Sequence, residues 1–281
     1  MQNFKIKSYA KINLALNVTG KKIKLHKVES IISFIELHDL IYLKQINKKN
    51  HKISFRGKFS KNIDKINTIT TLMKLLDQKN FLDNKKFEID ILKRIPQKAG
   101  MGGGSMNAAA LINFFINKKI LKLKKNELAK LTSQIGSDVI LGIKPNNTIL
   151  SSSGKIKKYK RNIKLYVLVV KPSFGCSTKY IYSKVKSFSK CQFSIPKQNM
   201  FKWKYLKNLN NDLEEISFKK YPKLQKLKSF LLTVPDNIFV RMSGSGSSIV
   251  AYFHSKKACN NAHREFKKKY NSHWCIVSKT I

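Results

Sequence analysis

The residues from Pro96 to Asn107, Pro-Gln-Lys-Ala-Gly-Met-Gly-Gly-Gly-Ser-Met-Asn, have types and spacing that suit one task, the holding of an anion. Gly100, Gly102, Gly103 and Gly104 let the backbone take positive φ and turn several N–H groups toward one point. The alanine-rich stretch from Asn107 to Phe115 follows at once and reads as a helix. The free N–H groups and positive dipole end of that helix favour a phosphate. Ser105 can cap the helix or touch a phosphate or metal. The pattern lacks the G-K-[ST] of a Walker loop and is not G-x-G-x-x-G. A plain flexible turn is the competing reading of the same glycines.

The elements that must position this loop follow from periodicity. Lys5–Val18 reads as a strand, broken by Gly20, Lys21 and Lys22. Val28–Leu37 and Asp39–Leu43 read as two further strands. Ile66–Leu76 reads as a helix with Ile69, Leu72, Met73 and Leu76 on one side. Phe87–Leu92 alternates as a strand that Pro96 closes. Lys125–Gln134 is a helix stopped by Gly136, and Ser151–Gly154 is a turn cluster and candidate hinge. Beyond it, strands are expected at Leu165–Val170, Ile238–Met242, Ile249–Phe253 and Trp274–Val277, with helices at Tyr221–Leu231 and Lys256–Lys268. Ser243-Gly-Ser-Gly-Ser247 is read as a tight turn joining two strands, with a second phosphate loop as the alternative. Helices and strands mix in both halves, which points to a two-domain α+β protein divided as residues 1–154 and 155–281.

Composition sets outer limits. The chain has 281 residues, 42% of them hydrophobic, enough for packed cores. There is no apolar run of membrane-spanning length and no signal-like N-terminal segment, so a cytoplasmic protein is expected. Cys176, Cys191, Cys259 and Cys275 are widely spaced and read as buried reduced thiols. Lys and Arg total 57 against 15 Asp and Glu, a formal charge of +42. That balance raises nucleic acid as a partner. However, the lysines are dispersed, and the chain's many Lys, Ile and Asn residues match an AT-rich coding bias. Nucleic acid is therefore not the expected partner, and the charge would draw in anionic small molecules.

With its surroundings, the loop resembles that of the GHMP kinases. The resemblance covers nearly the whole chain. It begins at Ser8-Tyr-Ala-Lys-Ile-Asn-Leu and continues through Lys93-Arg-Ile-Pro96 and the glycine loop to Ile135-Gly-Ser-Asp-Val139. It resumes at Lys171-Pro-Ser-Phe-Gly-Cys-Ser-Thr178, Asn211-Asp-Leu-Glu214 and Arg241-Met-Ser-Gly-Ser-Gly246. The resemblance implies a two-domain GHMP-kinase fold. Its N-terminal domain would carry a left-handed βαβ crossover, against the usual handedness rule. Its C-terminal domain would be a ferredoxin-like α/β sandwich.

The activity it implies is ATP-dependent transfer of a phosphoryl group to an alcohol. The closest branch acts on the 2-hydroxyl of diphosphocytidyl-methylerythritol, in non-mevalonate isoprenoid synthesis. The alternatives are mevalonate-, homoserine- or sugar-type kinases, or a basic nucleic-acid-binding protein on a kinase fold. By position, Asp138 would be the catalytic base and Lys11 its partner. A carboxylate can take the proton of the attacking hydroxyl, and an ammonium offsets charge on the attacking oxygen. Lys11 also stands in an otherwise apolar strand, unusual for a solvated charge. Pro96 to Asn107 (Pro96, Gln97, Lys98, Ala99, Gly100, Met101, Gly102, Gly103, Gly104, Ser105, Met106 and Asn107) would hold ATP with Mg2+, for which Ser105 and Asp138 are candidate ligands. Asn13, His26, Thr178 and Tyr182 would contact the substrate, Tyr182 by stacking on cytosine. The family's second aromatic corresponds to Leu25, so one face of that sandwich is expected to be lost or replaced.

Overall fold

The computed structural model describes residues 3–21, 23, 25–160 and 163–281. Lys22 of the expected strand break and Lys24 before His26 lie outside them. In chain order the strands and helices begin with β1 (Asn3–Lys21), β2 (His26–Ile46), β3 (Lys52–Arg56), α1 (Thr68–Gln78), β4 (Lys86–Leu92) and α2 (Gly103–Asn117). Then come α3 (Lys125–Ile135), α4 (Val139–Gly142), β5 (Asn147–Leu150), β6 (Ile156–Tyr159), β7 (Tyr166–Lys171) and α5 (Thr178–Ser183). The rest are α6 (Trp203–Leu206), α7 (Leu213–Lys220), α8 (Pro222–Thr233), β8 (Asn237–Met242), β9 (Ile249–Phe253), α9 (Lys256–Lys269) and β10 (Trp274–Lys279). Among the described residues no helix is long and apolar enough to cross a membrane.

Two compact units result. One holds Met1–Lys11, Leu37–Gln97 and Gly102–Pro145; the other holds Ile12–Glu36, Lys98–Met101 and Asn146–Ile281. The long strands β1 and β2 therefore run through both. In the first unit β3, α1 and β4 form a βαβ arrangement, with Ile53 opposite Ile89 in parallel pairing. β4 pairs antiparallel with the later half of β2, Ile41 opposite Ile91. Phe87, Ile89 and Ile91 alternate inward along β4, as a strand with one buried face must. They meet Ile69, Leu72, Met73 and Leu76 of α1 and Ala108, Leu111, Ile112 and Phe115 of α2 in one core. α1 starts at Asn67, whose side chain accepts from the N–H groups of Ile69 and Thr70 while the Thr70 hydroxyl accepts from the Asn67 N–H, a reciprocal cap.

In the second unit β5 pairs with the early half of β2, Ser30 opposite Leu150, and forms a hairpin with β6. Residues 151–154 are the turn of that hairpin, closed by Ser151 N–H to Lys155 O at 2.9 Å. The expected hinge at this cluster is thus corrected: a hairpin turn lies inside one compact unit. The other sheet has the order β10-β7-β9-β8 with every pair antiparallel. With α9 between β9 and β10, this is the ferredoxin-like arrangement. Leu224, Leu227 and Leu231 of α8 and Ala262 and Phe266 of α9 bury against Leu168, Val170, Ala251 and Phe253.

Three further local expectations change. β2 is one strand and not two, because His38 and Asp39 continue it without a break. α2 begins at Gly103, four residues early, and its N-cap is Gly102 at φ 65° with no side-chain cap. Ser105 therefore lies within the first turn and is not the cap. All four cysteines are free, but Cys191 is exposed because it lies in the surface segment that leads into buried Phe193.

Candidate active site

The glycine loop passes from one unit to the other between Met101 and Gly102, and each part has its own polar cluster. In the first unit α2 is the organising element. Its first-turn N–H groups have no intrahelical acceptor by geometry, and the ladder starts with Met106 N–H to Gly102 O at 2.8 Å. The glycines here meet tight surroundings. A Cβ on Gly103 would lie 3.1 Å from Ile95 Cγ2 and 3.4 Å from Lys93 Nζ, and one on Gly104 would lie 3.2 Å from Thr68 Oγ1. Asn107, 1% exposed, has a buried Oδ1 without a hydrogen-bond partner. Such an orphan is unusual in a folded interior.

The Lys11 ammonium stands 3.3 Å from the Asp138 carboxylate, with side chains 6% and 38% exposed. β1 delivers Lys11 and the α3–α4 corner delivers Asp138, whose side chain makes no helix-capping bond. The Lys11 stem packs on the loop: its Cγ lies 3.0 Å from where a Gly102 Cβ would be. The expected pair is therefore assembled beside the start of α2. A second pair was not foreseen. Asp39, fully buried, accepts from the Lys93 ammonium and from the N–H groups of Arg94 at 2.7 Å and Ile95 at 2.8 Å. It fixes the chain where β4 turns toward the loop and leaves Lys93 Nζ facing Gly103. An aspartate in an apolar strand was the one available signal.

Not every loop side chain can reach an anion. The Gln97 amide is committed to Phe59 O and Lys61 O at 2.9 and 2.8 Å. Pro96, Ala99, Met101 and Met106 are buried, so their side chains serve packing. Ser105 is half-buried, its Oγ 3.8 Å from where a Gly136 Cβ would lie.

In the second unit Gly100 sits at φ 72°, and a Cβ there would fall 1.9 Å from Ser243 O. Only glycine permits that approach. The Ser243 hydroxyl donates to Gly100 O at 2.9 Å and accepts from Asn13 N–H at 3.2 Å. Ser247 and Ser248 N–H groups donate to Lys98 O and Ala99 O. The Ser243–Ser247 segment is thus the expected tight turn between β8 and β9. Asn211 supports it, donating to Met242 O and Gly244 O at 2.9 and 2.7 Å, while Glu214 accepts from Met242 N–H at 2.6 Å.

Asn13 is 4% exposed and donates from Nδ2 to Ser30 Oγ at 2.8 Å. Thr178, at the start of α5, shares a hydrogen bond with Ser245 Oγ at 2.8 Å. Together with Lys98, Gly100, Tyr221 and Gly246 it lines a pocket of about 360 Å³. The His26 and Tyr182 rings approach to 5.3 Å at 37°. Partial desolvation, then the charge of Lys21, lowers the His26 pKa below its usual 6.5, so the imidazole is neutral at pH 7 and can donate and accept.

The chain resembles known proteins over its whole length. The GHMP kinases N terminal domain matches residues 67–146 and the GHMP kinases C terminal domain matches residues 202–272. The chain is 67% identical, over the whole of both chains, to 4-diphosphocytidyl-2-C-methyl-D-erythritol kinase of Pelagibacter ubique. It is 32% identical to the kinase of the same name from Clostridium tetani, covering 99% of this chain and 100% of that one. A crystal structure of 4-(cytidine 5'-diphospho)-2C-methyl-D-erythritol kinase superposes with TM-score 0.78 at 19% identity, over 99% of this chain and 100% of that one. Homoserine kinase from Cytophaga hutchinsonii follows at 0.72 and 15%, over 100% and 95% of the two chains, and shows the shared fold. The chain belongs to the GHMP kinases and, within them, to the 4-diphosphocytidyl-2-C-methyl-D-erythritol kinase family.

Proposed function

We propose that this protein phosphorylates the 2-hydroxyl of 4-diphosphocytidyl-2-C-methyl-D-erythritol with ATP, using Asp138 as general base. The observation that carries the reading is the Lys11–Asp138 pair at 3.3 Å beside the start of α2. Asp138 is open enough to receive a substrate hydroxyl and can accept its proton as the oxygen attacks. Lys11 is nearly buried, where its charge is least screened, and offsets negative charge on that oxygen. The α2 N–H groups and Lys93 suit the phosphate end of the nucleotide. ATP supplies the phosphoryl group, and Mg2+ offsets the charge of its phosphates. Among the described residues no group of three or more His, Cys, Asp or Glu could hold a metal. The ion would be held mainly by phosphates and water, with Ser105 and Asp138 as the candidate protein ligands.

Asn13, His26, Thr178 and Tyr182 are assigned to the substrate. The neutral His26 suits the donor and acceptor edge of cytosine, and Tyr182 offers a stacking face. A cytoplasmic setting belongs to the same reading. The lysine excess serves as a steering field for two anionic substrates, not as a nucleic-acid surface. A coupled assay of ADP release tests the function. Release that requires the cytidine substrate supports it. Release with mevalonate or homoserine, and none with the cytidine substrate, overturns it.

A further inference from the structure

Phe188 is a large ring 47% exposed to solvent, yet its chain segment is firmly held. The adjacent Ser189 donates its N–H to Val18 O at 2.9 Å and its hydroxyl to Asp212 Oδ2 at 2.8 Å. The same carboxylate oxygen accepts Val18 N–H at 2.7 Å. A few residues later the fully buried Glu29 carboxylate accepts the N–H groups of Gln192 at 2.7 Å and Phe193 at 3.1 Å, and Phe193 is itself fully buried. The segment is thus tied down immediately after a ring that it leaves open. An anchored chain that presents a phenyl group to water has not placed it there for core packing.

The ring faces chemistry. Its centroid lies 6.5 Å from His26 at 50°, and Tyr182 approaches the same imidazole at 5.3 Å and 37°. Three aromatic groups thus converge on one place, two with apolar faces and one with a hydrogen-bonding edge. Leu25, immediately before His26, is 66% exposed and offers no π face. A flat, polar-edged heterocycle is the ligand this set suits. Aromatic faces take its plane, and a neutral imidazole takes its edge.

We infer that Phe188 is a specificity-determining residue that, with Tyr182, sandwiches the pyrimidine base of the alcohol substrate. It supplies the aromatic face that position 25 lacks. The inference rests on the cytidine-substrate reading above. It assigns Phe188 to the alcohol substrate and not to ATP, which separates it from a general structural role.

Steady-state kinetics of the full chain decide it, with Phe188→Leu, Phe188→Tyr and wild type assayed on the cytidine substrate and ATP. Leucine keeps apolar bulk and removes the π face, and tyrosine restores it. In Phe188→Leu, KM for the cytidine substrate should rise about tenfold, the scale of one lost base–aromatic stack. KM for ATP and kcat should stay close to wild type, and Phe188→Tyr should recover the affinity. Wild-type turnover with an unchanged cytidine-substrate KM in Phe188→Leu overturns the assignment alone. Equal loss toward both substrates also overturns it, marking a structural role. No wild-type turnover of the cytidine substrate overturns the functional reading and this inference with it.

Discussion

The Lys11 ammonium and the Asp138 carboxylate meet at 3.3 Å although β1 and the α3–α4 corner carry them from distant parts of the chain. The pair is asymmetric: the lysine is shielded and the aspartate is open. Two surface charges at this distance would contribute little. A shielded cation beside an accessible base instead leaves room for a hydroxyl to approach from the open side. Its position on the Gly102 side of α2 puts the Asp138 carboxylate next to the helix end that favours phosphate.

Gly100 should tolerate no side chain. Gly100→Ala adds a Cβ 1.9 Å from the Ser243 carbonyl at a positive φ, whereas Gly154→Ala adds one at φ 86° with nothing within 4 Å. The conformational cost alone is about 1–2 kcal/mol. Urea denaturation should show roughly that loss for Gly154→Ala and clearly more for Gly100→Ala. Equal losses would mean that the close approach to the Ser243 turn is not real.

The buried Asp39–Lys93 pair should be costly to break, more so from the aspartate side. Asp39→Ala strands a lysine at 5% exposure and unpairs two N–H groups. A loss of about 3–5 kcal/mol follows. Lys93→Met leaves Asp39 with its two N–H donors and should cost less in stability, but it should raise KM for ATP if Lys93 faces a phosphate. Thermal melts and ATP titration of both variants check this.

The pH dependence should carry a His26 signature. Its pKa lies below 6.5 because burial and Lys21 both disfavour the charged form. As pH falls through that lowered value the imidazole gains a proton and loses its acceptor nitrogen, so kcat/KM for the cytidine substrate should fall. Lys21→Gln should move this acid limb to higher pH, and His26→Gln should abolish it. A limb unchanged in both variants would remove His26 from substrate recognition.

Much of this was legible in the sequence where local periodicity decides structure. Ile69, Leu72, Met73 and Leu76 mark the buried face of α1, and alternation at Phe87, Ile89 and Ile91 marks β4. The features that escaped depend on partners far away in the chain. Asp39 looks like a break in β2 until Lys93 is seen to neutralise it. Gly103 and Gly104 look like loop because glycine is a poor helix former. They belong to α2 because Ile95, Lys93 and Thr68 leave little room for a Cβ. Leu25 marks a missing ring in sequence, but Phe188 can be paired with His26 only in three dimensions. Short strands such as β3, β5 and β6 carry too few residues to show a period.

The most direct test of the central claim is single-turnover phosphoryl transfer by Asp138→Asn, with ATP binding measured in parallel. Removing a positioned general base should slow transfer by about 10²–10⁴-fold, while nucleotide affinity stays near that of the unaltered enzyme. A transfer rate within a few-fold of the unaltered enzyme, in a variant that still folds and binds ATP, would contradict the account.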